Sequence, residues 1–123
     1  MGDVSGREKQ FDGLTEKDLQ SAVLEVMKWQ GWLTYHTFDS RKSEPGFPDV
    51  VAVKGSRLMF IEFKSERGKI STFQVEWLDR LIKTCGEVYV VRPSTEVAFM
   101  EDVGVAGSNL ACHWRNVRLG DET

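Results

Sequence analysis

The chain has 123 residues, 41% of them hydrophobic and 28% charged, with a formal net charge of −3. That length and balance describe one domain with a core of its own, and they exclude collagenous, disordered and disulfide-stapled chains. No apolar run approaches the length of a membrane span, and the opening MGDVSGREKQ lacks the apolar region of a signal peptide. Cys85 and Cys112 form neither a metal-ligand spacing nor a disulfide framework. The expectation is a cytoplasmic protein with reduced thiols, Cys85 packed in the core. Net acidity speaks against a nucleic-acid partner, yet the distribution softens this: residues 41–92 carry a net charge of +3 and the remainder −6.

In chain order, residues 1–13 are polar and read as a flexible lead. Thr15 opens a helix over residues 16–30, closed by Gly31, with the apolar stripe Leu19, Ala22, Val23, Val26 and Met27. Residues 32–37 (WLTYHT) are rich in aromatic and β-branched side chains and predict a strand. A loop over residues 38–48 has its turn signal at Pro45-Gly46. Strands over 49–54 and 57–64 follow, separated by Gly55-Ser56, a Gly-first pair suited to a type II′ hairpin turn. After the charged connection 66–69, Ser71 begins a second helix, and Ser71-x-x-Gln74 fits a capping box. Its stripe is Val75, Leu78, Leu81, Ile82 and Cys85, with Gly86 ending it. Residues 87–91 (EVYVV) predict a last strand and 94–100 a short helix; from Glu101 onward the pattern fades. The predicted domain spans residues 14–100, with 101–123 a C-terminal extension. The order helix-strand-strand-strand-helix-strand implies an α/β fold whose final strand–helix–strand crossover is parallel and right-handed.

The hairpin carries the chemistry. If the two-residue turn holds, Lys54 opposes Arg57 and Asp49 opposes Glu62, with Cβ atoms roughly 5 Å apart on one face. Lys64 lies two residues beyond Glu62 and shares that face. Opposed like charges destabilise a sheet, and a divalent cation is the usual compensation, since carboxylate oxygens are the ligands Mg²⁺ prefers. Glu16 precedes Leu19 by three and Val23 by seven, so it heads the first helix's stripe and is the better third carboxylate; the lesser alternative is a first-turn acid serving the helix dipole. Glu25 falls half a turn away and should face solvent. Gln74 heads the second stripe, and its capping role and a role at the site need not exclude each other. An interstrand ion pair with Lys64 would explain only one of the two carboxylates. Arg41, Lys42, Arg67 and Lys69 flank the mouth of the site as candidate phosphate contacts, although solvated loop charge explains any one of them alone.

This pattern resembles the PD-(D/E)XK nuclease superfamily and, within it, the virus-type replication-repair nuclease (VRR-NUC) family in its small, stand-alone form. The resemblance runs from about Glu16 to Pro93. It rests on Glu16 with Gln20, His36-Thr37, Ser40-Arg41, the run from Pro45 through Gly46-Phe47-Pro48 to Asp49, Glu62-Phe63-Lys64-Ser65, and Gln74. It implies a restriction-endonuclease-like core with a mixed central sheet. It also implies Asp49, Glu62 and the Phe63 backbone carbonyl as metal ligands, Glu16 completing the site, and Lys64 as catalytic lysine. Gln20 and Gln74 would support these groups, and His36 and Ser40 would join the DNA-proximal residues. The stretch after Met100 does not map onto the family core.

The activity so implied is a Mg²⁺-dependent DNA endonuclease, Mn²⁺ also accepted, leaving a 5′-phosphate and a 3′-hydroxyl. Branched DNA, a four-way (Holliday) junction above all, is the implied substrate, in replication, repair or recombination of a bacterial or phage-infected cell. No base-reading module is appended to the core. Symmetric junction resolution needs two sites in fixed relation, which predicts a two-fold homodimer, with exposed aromatics and the C-terminal stretch around Trp114 as candidate interface. Two rivals are a monomeric flap or nicking nuclease and a catalytically silent DNA-binding accessory protein. The presence of all three acids with Lys64 speaks against the second.

Overall fold

The computed structural model describes residues 13–37 and 44–104. Helix α1 (Glu16–Trp29) starts at Thr15, whose hydroxyl accepts from the Asp18 N–H at 3.0 Å, with Glu16 and Asp18 in its first turn. Strands β1 (Leu33–His36), β2 (Val50–Lys54) and β3 (Arg57–Phe63) form an antiparallel meander, and β4 (Glu87–Val91) pairs in parallel with β3. Helix α2 (Thr72–Leu81) makes the crossover between β3 and β4. After β4, a short 3₁₀ turn (Pro93–Thr95) leads into α3 (Glu96–Gly104). The sheet order β1-β2-β3-β4 is a mixed α/β architecture of restriction-endonuclease-like type.

Lys54 pairs with Arg57 and Val50 with Ile61, the register that a two-residue turn at Gly55-Ser56 demands. Gly55 has φ +59°, while Ser56 keeps a negative φ, as a type II′ turn requires. Strand alternation then divides the core. Val50, Ala52, Met59, Ile61, Phe63, Tyr89 and Val91 face α1 and α3, meeting Leu19, Val23, Met27 and Phe99. Phe60, Val88 and Val90 face α2 and meet Val75, Leu78 and Leu81. Covered on both sides, β4 is buried along its whole length although it forms a sheet edge.

Three expectations need correction. In α1 Leu24 is buried, whereas Ala22 and Val26 are exposed, because the helix lies on the sheet by the row Leu19, Val23, Leu24 and Met27. Cys85 is exposed rather than in the core. Helix α2 stops at Leu81, and the Thr84 hydroxyl, bonded to the Leu81 carbonyl at 2.6 Å and accepting from the Gly86 N–H, turns the chain before Cys85 can reach the stripe. The last helix runs to Gly104, four residues past its predicted end, held by the buried Phe99 and Val103. Arg57 also fixes its C-terminus, donating to the Val103 carbonyl at 2.8 Å while it forks onto Glu87 at 2.7 and 2.8 Å.

Candidate active site

The site lies where β2 begins and β3 ends. Proline at position 48 cannot donate to a sheet ladder, so the chain enters β2 from a turn, and Asp49 falls just outside the first pair. Asp49 is held from both strands. Its Oδ2 accepts from the Phe63 N–H at 2.7 Å, and its carbonyl accepts from the Thr37 N–H at 2.7 Å. The Thr37 hydroxyl donates to the Pro48 carbonyl at 3.0 Å, and His36 Nδ1 lies 3.5 Å from the Asp49 carbonyl. Gln20, from α1, donates to His36 Nδ1 at 2.8 Å. Gln20 thus ties α1 to His36 on β1, and the ring nitrogen that accepts from it stands beside the Asp49 carbonyl without donating to it.

Glu62 is buried opposite Asp49, and the two side chains share a hydrogen bond. Gln74 Nε2 donates to Glu62 Oε2 at 2.8 Å. The same amide's oxygen accepts from the Ser71 N–H at 2.8 Å, while the Ser71 hydroxyl accepts from the Gln74 N–H at 3.2 Å. One glutamine therefore completes the capping box with its oxygen and fixes Glu62 with its nitrogen.

The electrostatics follow from two carboxyls at one half-dry place. Burial, and then the Asp49 charge, push the Glu62 carboxyl up to about 9. Asp49 is also raised by burial, but the Phe63 N–H and the proton shared from Glu62 offset part of that. Lys64 is buried on the same face; its charge favours the ionised form of both acids. The exposed Glu16 acts from farther off, its charge raising both.

Among the described residues no three His, Cys, Asp or Glu side chains gather closely enough to enclose a metal ion by themselves. The donor set is two adjoining carboxylates, with Glu16 standing off. This fits Mg²⁺, which binds through one or two carboxylates and keeps several waters.

Arg92, just past β4, is a positioning residue that sequence reasoning missed. It is buried, and Nη1 donates to the carbonyls of Ser65, Gly68 and Glu66 at 2.8, 2.7 and 3.3 Å. It thereby shapes the turn after Lys64 that displays Arg67 and Lys69, both exposed. A lone cation ending an apolar strand was the available signal. Gly46, read from the sequence as a turn signal, also positions the site. With φ +90°, a Cβ there would lie 2.5 Å from the Phe73 backbone carbon, so only glycine lets the loop rest on the start of α2. Ser40, Arg41, Lys42 and Trp114 lie outside the described residues, as do the lead before Gly13 and the stretch after Gly104.

An α/β core that presents paired carboxylates and a lysine at the ends of two adjacent strands defines the restriction-endonuclease-like class of fold. The VRR-NUC domain profile matches residues 8–94, most of the chain. The protein belongs to the VRR-NUC family, and with it to the PD-(D/E)XK type of nuclease. No curated protein and no solved structure matches the chain. Among the described residues, no helix is long and apolar enough to cross a membrane.

Proposed function

We propose that the protein is a Mg²⁺- or Mn²⁺-dependent endonuclease acting on branched DNA, a four-way junction being its foremost substrate. The observation that carries this reading is the Asp49–Glu62 pair beside Lys64, with Gln74 and the Phe63 N–H aligning its oxygens. Asp49 and Glu62 are the residues to hold the cation, with the Phe63 carbonyl beside them and Glu16 acting directly or through water. When bound, such a cation polarises a phosphoryl oxygen and lowers the pKa of a bound water.

The protein's own groups do the rest. Lys64 places a positive charge where the phosphoryl group gains negative charge in the transition state, and it can orient the attacking water. In-line attack leaves a 5′-phosphate and a 3′-hydroxyl. Arg67 and Lys69, on the turn pinned by Arg92, are placed to meet backbone phosphates and so set the duplex in position without reading its sequence. Arg41, Lys42 and Ser40 are assigned the same role from the family resemblance and their charge or polarity.

Two cuts on a junction call for two sites, and one surface supports a homodimer. The face of the sheet that packs on α2 extends beyond it, leaving Leu33, Tyr35 and Val53 exposed on β1 and β2, and among the described residues β1 is a sheet edge. Light scattering at micromolar protein distinguishes a dimer from a monomeric flap or nicking enzyme. The activity itself is tested with labelled junction, flap, splayed and linear DNAs incubated in Mg²⁺, Mn²⁺ or EDTA. Junction cleavage that requires the metal and vanishes in Asp49→Ala, with DNA binding kept, is the expected result. Metal-independent cleavage, or parental turnover in Asp49→Ala, would remove the mechanism.

A further inference from the structure

An open pocket of about 470 Å³ lies against the outer side of α2, lined by Glu44, Pro45, Phe73, Glu76, Trp77 and Arg80. Its floor is fixed. Trp77 Nε1 donates to the Pro45 carbonyl at 3.1 Å, and the Phe47 ring packs edge-on to Trp77 at 5.0 Å. Phe73, by contrast, is 57% exposed, so one face of its ring is open to a ligand.

The pocket's walls are continuous with the two elements that carry the site. Phe73 immediately precedes Gln74, which holds Glu62 at 2.8 Å. Gly46, whose place against the Phe73 backbone no side chain could share, stands three residues before Asp49. The pocket therefore adjoins, through the chain, the two segments that carry Asp49 and the partner of Glu62.

We propose that this pocket receives an unpaired nucleobase of the DNA, stacked on Phe73 and flanking the scissile phosphate. The proposal rests on the nuclease reading and sharpens its substrate. A base within a duplex has both faces covered, so an aromatic platform of this kind selects nucleotides at a branch, gap or flap. The rim is of mixed charge, with Arg80 3.4 Å from Glu76, and the Glu44 and Glu76 oxygens can accept from the N–H groups of a base edge. The backbone would instead run past Lys64 toward Arg67 and Lys69, which precede the helix cap at Ser71.

The test is a cycle between ring and base. An abasic residue is moved one position at a time through an unpaired stretch, and binding is measured by anisotropy in Ca²⁺ for the parent, Phe73→Ala and Phe73→Trp. At one position, base removal should weaken parental binding by about 5- to 50-fold. In Phe73→Ala the same removal should cost almost nothing more, and Phe73→Trp should restore the penalty. Equal penalties in parent and Phe73→Ala, or no sensitive position, would overturn the proposal. Cleavage in Mg²⁺ on the same DNAs separates the two ideas. Ring–base coupling without cleavage of any DNA upholds the pocket and ends the nuclease reading; cleavage with independent losses ends the pocket alone. Circular dichroism of Phe73→Ala, whose ring is mostly exposed, confirms that the fold persists.

Discussion

Glu62→Gln retains the size of a side chain that is 3% exposed while removing its charge. In the cation-free protein the Glu62 carboxyl is pushed from 4.5 up to about 9, by burial first and by the Asp49 charge second. The folded state thus keeps a proton that the unfolded chain releases. Stability from this group is whole below about pH 4.5 and is lost as pH rises toward 9. At pH 7.5, three units above the unfolded value, the loss has a ceiling of ~4 kcal/mol at about 1.4 kcal/mol per unit. Side-chain relaxation and entering water bring the loss below that ceiling. Glutamine carries no such cost: its oxygen can accept from Gln74 Nε2, and its N–H can donate to Asp49. In urea titrations followed by tryptophan fluorescence in EDTA, Glu62→Gln should be more stable than the parent at pH 7.5. The gap should close as pH falls to 4.5. Saturating Mg²⁺ should stabilise the parent and not the variant, which should cleave no DNA. A variant less stable than the parent at pH 7.5, or a gap that does not grow with pH, would refute the reasoning.

Lys64→Ala should lower the saturating cleavage rate by about 10²- to 10³-fold, as loss of a transition-state charge partner does, with a smaller change in Mg²⁺ affinity by calorimetry. Lost metal binding with a normal saturating rate would reverse that assignment. Gly46→Ala forces a side chain to φ +90° and against the Phe73 backbone. It should lower stability by about 2–4 kcal/mol in thermal melts, combining left-handed strain with overlap. Cleavage should fall too, because Asp49 moves with the loop. Arg92→Ala leaves three carbonyls of the 65–68 turn without their donor and should cost about 1–3 kcal/mol. Amide exchange should quicken at Ser65–Gly68, and DNA affinity should fall with it; unchanged protection there would show that the arginine is not the clasp.

Local rules carried the reading of this chain a long way. A Gly-first two-residue turn allows one register, and period-2 alternation then sets Asp49 across from Glu62 with Lys64 beside them, before any tertiary contact is known. The Ser71–Gln74 box and the β4 boundaries were legible for the same reason, since each depends on residues within a turn or a strand of one another. Tertiary structure decided what neighbours in sequence cannot. The docking angle of α1 chose Leu24 over Ala22 and Val26, and an early helix stop put Cys85 in solvent, because burial depends on which surface a helix meets. The Arg92 clasp, the bond from Gln20 to His36, and the Gly46 contact with α2 join residues separated by 16 to 28 positions. Such pairs leave no periodicity behind, so only the folded chain could bring them together. The raised Glu62 carboxyl is of the same kind: opposed charges can be read from a register, but the burial that makes them costly belongs to the packed domain.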